Sequence, residues 1–137
     1  PSLRAALFGQ ISAESDPMGS LTEKAIYSQW QHSALTELYY ARWNTGEVDL
    51  VSLTASTQQP NWAVEIKWSD RPYQARSELD NCADFATRNP RMQQPVLITS
   101  RTISDASVVY KNVRFRFMPS SVYAYTLGTN ILGQCLP

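Results

Sequence analysis

Residues 46–68 read GEVDLVSLTASTQQPNWAVEIKW. Two β-prone runs, 47–53 and 62–68, flank a polar loop that ends with Pro60. Successive side chains of a strand point to opposite faces. Val64, Ile66 and Trp68 therefore share one face and suit a core, while Glu65 and Lys67 share the other. Two charges at the end of an apolar strand call for a partner. A carboxylate there can bind a metal, and an ammonium can hold or deprotonate a water. Asp49 stands between Val48 and Leu50. Asp is disfavoured in strands and costly to bury unpaired, and a cation removes that cost. Mg²⁺ takes hard oxygen ligands, commonly one or two carboxylates with several waters. Asp49 and Glu65 are expected to supply them, since the fifteen residues between them allow a strand end, a loop and a neighbouring strand.

Outward from this stretch, ELYYARW (37–43) is aromatic and β-prone, and Asn44-Thr45-Gly46 joins it to 47–53 as a β-hairpin. Upstream, Leu21, Ala25, Ile26, Trp30 and Ala34 recur at helical spacing, which predicts a helix over 20–35 with one buried stripe. Residues 12–19, with Pro17 and Gly19, read as a loop, and residues 2–9 as a short helix stopped at Gly9. Downstream, a helix is expected over 74–87, closed by Asn89-Pro90. Strands follow at 95–100 and 113–118, then a helical segment after Pro119. No repeat or low-complexity tract interrupts the chain. The core order α-β-β-β-α-β predicts an α/β domain with a small mixed central sheet flanked by helices.

The chain has 137 residues, the length of one domain. Its 43% apolar and 18% charged content fits a globular protein. No apolar run approaches the roughly 18 residues of a membrane helix, and no secretory signal pattern is visible. Cys82 and Cys135 lack zinc-site spacing; Cys82 is expected to be a small buried residue, and a reducing cytoplasm is the default setting. Net charge is zero but uneven: residues 1–66 hold three Lys/Arg against seven Asp/Glu, and residues 67–137 hold nine against five. The single histidine, His32, falls near the end of the first helix and reads as a surface or capping residue. No G-x-S-x-G accompanies it, which argues against a serine hydrolase.

Gly46-x-x-Asp49 followed by apolar-Glu65-x-Lys67 resembles the signature of the PD-(D/E)XK nucleases, whose restriction-endonuclease-like fold has the same order of core elements. In that superfamily a Glu on the preceding helix often completes the site, and Glu23 matches it. Across nearly the whole chain, PSLRAALFG, MGSLTEKAIYSQW, LYYARWNTGEVDLV and AVEIKWSD resemble the C-terminal domain that follows the ATPase module in prokaryotic AAA-type ATPases. The resemblance implies a single nuclease-like domain over 1–137, cut from a longer ATPase; the start at Pro1 without a methionine agrees. No P-loop occurs, so this chain itself is not expected to bind ATP. The resemblance further implies phosphodiester hydrolysis of DNA. Asp49, Glu65 and Glu23 would hold Mg²⁺ or Mn²⁺, and Lys67 would position water or offset charge. Arg71, Tyr73, Gln74 and Arg76, after Glu-x-Lys, would be candidates for phosphate or water contacts.

Each of these residues has a plainer reading. Ser20-x-x-Glu23 is also a capping box. Glu65 and Lys67 could lie on the solvated face of an edge strand, and Asp49 could be a hairpin residue. Arg114 and Arg116, alternating with Phe115 and Phe117, fit either an exposed strand face or a basic surface near nucleic acid, as do Arg88 and Arg91. Two functions follow: a metal-dependent DNA endonuclease domain serving an ATPase, or a nuclease-like module that binds partners or nucleic acid with weak or absent chemistry. Convergence of the three carboxylates and Lys67 favours the first; a splayed site, or one plugged by the 54–61 loop, favours the second.

Overall fold

A computed structural model describes residues 11–33, 36–92 and 94–135; the helix expected at 2–9 lies outside them. The described residues form an α/β domain: an open six-stranded mixed sheet with four helices. In chain order these are α1 (Pro17–Trp30), β1 (Leu38–Trp43), β2 (Gly46–Leu53), β3 (Pro60–Glu65), α2 (Arg71–Gln74), a 3₁₀ turn (Arg76–Leu79), α3 (Asp80–Arg88), β4 (Val96–Ser100), β5 (Ala106–Tyr110), β6 (Val113–Pro119) and α4 (Ser120–Cys135). The sheet order is β1-β2-β3-β4-β6-β5. β1, β2 and β3 form an antiparallel meander, β3, β4 and β6 run parallel, and β5 returns antiparallel to β6. No described helix is long and apolar enough to cross a membrane.

The sheet carries a core on each face. On one, Val48, Val51, Ala63, Val96, Ile98, Phe115 and Phe117 pack under Leu79, Cys82, Ala83 and Phe85. On the other, Leu50, Val64 and Ile66 meet Ile26 of α1, with Tyr123 and Ala124 of α4 beside them. The expected small, buried role of Cys82 is what the fold gives it, at 1% exposure.

Several boundaries differ from the sequence reading. α1 begins at Pro17, not Ser20, because a proline fits the first helical turn, where its missing N–H is not needed. Ser20 and Glu23 are thus inside the helix, and the capping box does not form. The helix expected over 74–87 is broken: Ala75 adopts an extended φ of −106° and ψ of 92° between α2 and the 3₁₀ turn. The strand expected over 62–68 is assigned to Pro60–Glu65, so Lys67 and Trp68 lie beyond it. β5 falls in a stretch, 101–112, to which the sequence reading gives no element. Lys111 and Asn112 take φ of 49° and 62°, the left-handed pair that a tight two-residue hairpin turn requires.

Candidate functional site

β2 departs from regular pairing where Asp49 sits. Tyr39 and Ala41 of β1 pair with Val51 and Val48 of β2. Two steps along β1 thus span three along β2, so β2 bulges across Asp49 and Leu50. Such bulges bend a strand and re-aim its side chains. This one explains why Val48 and Leu50, which strict alternation would place together, belong to opposite cores. On the other side of β2, the pairing of Leu50 with Val64, continued one step, sets Asp49 across from Glu65.

Asp49 is held at both ends. Its Oδ2 accepts the Ile66 N–H at 2.7 Å, and its carbonyl accepts the Tyr27 hydroxyl of α1 at 2.5 Å. Glu65 is 8% exposed on an interior strand, which removes the solvated-edge reading. Its Oε1 meets Lys67 Nζ at 2.8 Å. Its Oε2 is buried and, among the described residues, lacks a nitrogen or oxygen hydrogen-bond partner; the buried Cys82 thiol stands beside the carboxylate. Burial is the main cause that raises the Asp49 carboxyl above its usual range, partly offset by the Ile66 N–H and Lys67. Burial and then the Asp49 charge raise Glu65. Burial acts to lower the Lys67 ammonium, but Glu65 and Asp49 outweigh it and raise its pKa, so it stays charged. Burial, followed by Asp49 and Glu23, pushes the Tyr27 hydroxyl up to about 12, which keeps it a donor.

Glu23 approaches from the second turn of α1, half-buried. Burial and the Asp49 charge raise its pKa, so it shares the field of the site. Among the described residues no three His, Cys, Asp or Glu side chains stand close enough together to share one ion. The structure joins Asp49, Glu65 and Lys67, and sets Glu23 within reach of the Asp49 and Lys67 charges. The 54–61 loop does not plug this site, because it joins the opposite ends of β2 and β3.

The candidate phosphate contacts serve their own segment. Arg71 pairs with Glu78 at 2.7 Å, and Arg76 lies over the Tyr73 ring at 4.8 Å; Gln74 is exposed. Trp68 donates its indole N–H to the Ala13 carbonyl at 2.7 Å. Arg114 and Arg116 occupy an exposed strand face, with Arg116 paired to Asp105 at 3.1 Å, while Phe115 and Phe117 are fully buried. His32 is exposed just past α1.

Sequence reasoning missed the hydroxyls around the site. Thr99 and Ser120 bind the Lys67 backbone, and Tyr27 binds that of Asp49. Tyr27 follows Glu23 by one helical turn, and that spacing was a usable signal. Thr99 and Ser120 had none, because only the folded sheet brings them to residue 67.

Comparison with family models, curated proteins and solved structures finds no match to this chain.

Proposed function

We propose that the chain is a metal-dependent nuclease domain of the restriction-endonuclease-like kind, hydrolysing phosphodiester bonds of DNA in the service of an attached AAA-type ATPase. One observation carries the reading: among the described residues Glu65 Oε2 is buried with no nitrogen or oxygen partner, across the strand pair from Asp49 and with only the Cys82 thiol beside its carboxylate. An orphan carboxylate oxygen in a protein interior is costly, and a cation placed between the two carboxylates relieves it. The donor set fits Mg²⁺ or Mn²⁺, because all its atoms are hard oxygens and two carboxylates suffice.

Bound there, the ion would supply Lewis-acid polarisation of a phosphoryl oxygen and a more acidic water. The chain's own residues account for the rest. Glu65 Oε1 anchors Lys67, whose remaining N–H bonds can hold a phosphate oxygen or orient the attacking water. Tyr27 and the Ile66 N–H fix Asp49. Glu23, its carboxyl raised, is placed to accept a proton from a water at the margin of the site. The expected setting is cytoplasmic.

A second reading keeps the fold but not the chemistry, as a module that binds a partner or nucleic acid. It draws on the contacts of Arg71 and Arg76 within their own segment, with Glu78 and the Tyr73 ring. Titration calorimetry with Mn²⁺ separates the two. Binding by the wild type, its loss in Asp49→Ala and its retention in Lys67→Ala, with DNA cleavage absent in both variants, supports the nuclease. No uptake at millimolar Mn²⁺ leaves the binding module.

A further inference from the structure

Lys67 lies just past the point where β3 stops pairing with β4, the last bridged pair being Glu65 with Ile98. Its backbone is nevertheless fully engaged. The Thr99 hydroxyl accepts the Lys67 N–H at 2.7 Å and donates to the Lys67 carbonyl at 2.9 Å. The Ser120 hydroxyl, at the start of α4, lies 2.7 Å from the same carbonyl and 2.9 Å from the Ser100 carbonyl, with one proton to share. Thr99 is 0% and Ser120 2% exposed. Thr99 continues the apolar run Val96-Leu97-Ile98, where a valine would fill the same space. Two deeply buried hydroxyls thus converge on one residue, the one whose ammonium faces Glu65.

We propose that Thr99 and Ser120 are positioning residues for Lys67. Their hydroxyls stand in for the missing rungs of the β3–β4 ladder. A backbone rung would draw residue 67 onto β4; a side-chain hydroxyl reaches further and holds the two strands apart while still satisfying the peptide. The fork so formed sets where the Lys67 side chain leaves the backbone and keeps its ammonium on Glu65. The inference rests on the nuclease reading only where cleavage is measured.

The test uses Thr99→Val, Thr99→Ser and Ser120→Ala in the whole chain. NMR follows hydrogen exchange of the Lys67 amide and the order of its ammonium, beside Mn²⁺ affinity and DNA cleavage. Thr99→Val is expected to fold and keep its Mn²⁺ affinity. Its Lys67 amide should exchange about tenfold faster, as loss of one buried hydrogen bond implies. Its ammonium should loosen, and kcat should fall by up to about 10²-fold, as misplacing a catalytic group does. Thr99→Ser should restore all three. The proposal is overturned if Thr99→Val leaves the amide and ammonium unchanged, or if Thr99→Ser does not restore them. If Thr99→Val fails to fold, the order of the Lys67 ammonium in Ser120→Ala decides, because Ser120 holds the Lys67 carbonyl and leaves its amide on Thr99; an unchanged ammonium there overturns the proposal. A wild type without cleavage overturns the nuclease reading alone, because the amide and ammonium still report on the positioning.

Discussion

The surroundings of Asp49 disfavour its charged form. Burial raises its carboxyl, and Glu47 adds to the effect. An acid whose pKa is higher in the folded than in the unfolded state destabilises the fold above the unfolded value, with relief as pH falls through the folded one. In the metal-free protein Asp49→Asn should therefore stabilise, by about 0.5–2 kcal/mol near pH 7, because the amide oxygen can still accept the Ile66 N–H. The gain should shrink as the solution is acidified. Thermal melts at pH 7 and pH 4 check both, and a destabilised Asp49→Asn would mean that Lys67 already compensates the carboxylate. Asp49, Glu65 and Lys67 were legible in the sequence because charged residues stand out in apolar strands. Glu23 was ambiguous because Ser20-x-x-Glu23 also reads as a cap, and only the helix start at Pro17 removes that alternative.

At the scale of elements, the β1–β2 hairpin is the best-read part of the fold, since aromatic runs and an Asn/Gly turn agree. Its turn leaves no room for a side chain at Gly46. A Cβ there would lie 2.6 Å from Trp43 Cζ2 and 2.7 Å from Asn81 Oδ1. The Trp43 ring is itself stacked on Phe85 at 6.2 Å between centroids. Gly46→Ala should cost about 1–3 kcal/mol through overpacking, measurable by urea denaturation; a neutral outcome would mean that the ring and Asn81 move aside freely. The bulge at Asp49 could not be read, because a two-residue alternation gives no sign of an inserted residue. The break at Ala75 was equally silent, because alanine is the strongest helix former.

At the scale of the molecule, Asp70 ties the exit of β3 to the loop after β4. Its carboxylate accepts the N–H groups of Arg101 at 3.0 Å, Thr102 at 2.9 Å and Ile103 at 3.4 Å, and the Thr102 hydroxyl at 2.5 Å. Partial burial pushes its pKa up, but these bonds outweigh that and hold it below its ordinary 3.8. Its contribution is complete above the unfolded pKa and is lost as pH falls through the lower folded one. Asp70→Ala should cost about 1–2 kcal/mol at pH 7. The gap from wild type should narrow below about pH 4, and urea melts at pH 7 and pH 3 give the comparison; an undiminished gap at pH 3 would show that the bonds do not need the charge. The fork at Lys67 also orders the way the chain comes together. Asp49 and Glu65 belong to one meander with local connections, whereas Lys67 is fastened by residues 32 and 53 positions further along the chain. Non-local closures are slow and come late. The two carboxylates can therefore meet early, in a half-built sheet, while the lysine is fixed only once β4 has docked and α4 has begun, so the joint placement of all three side chains is a signature of completed folding.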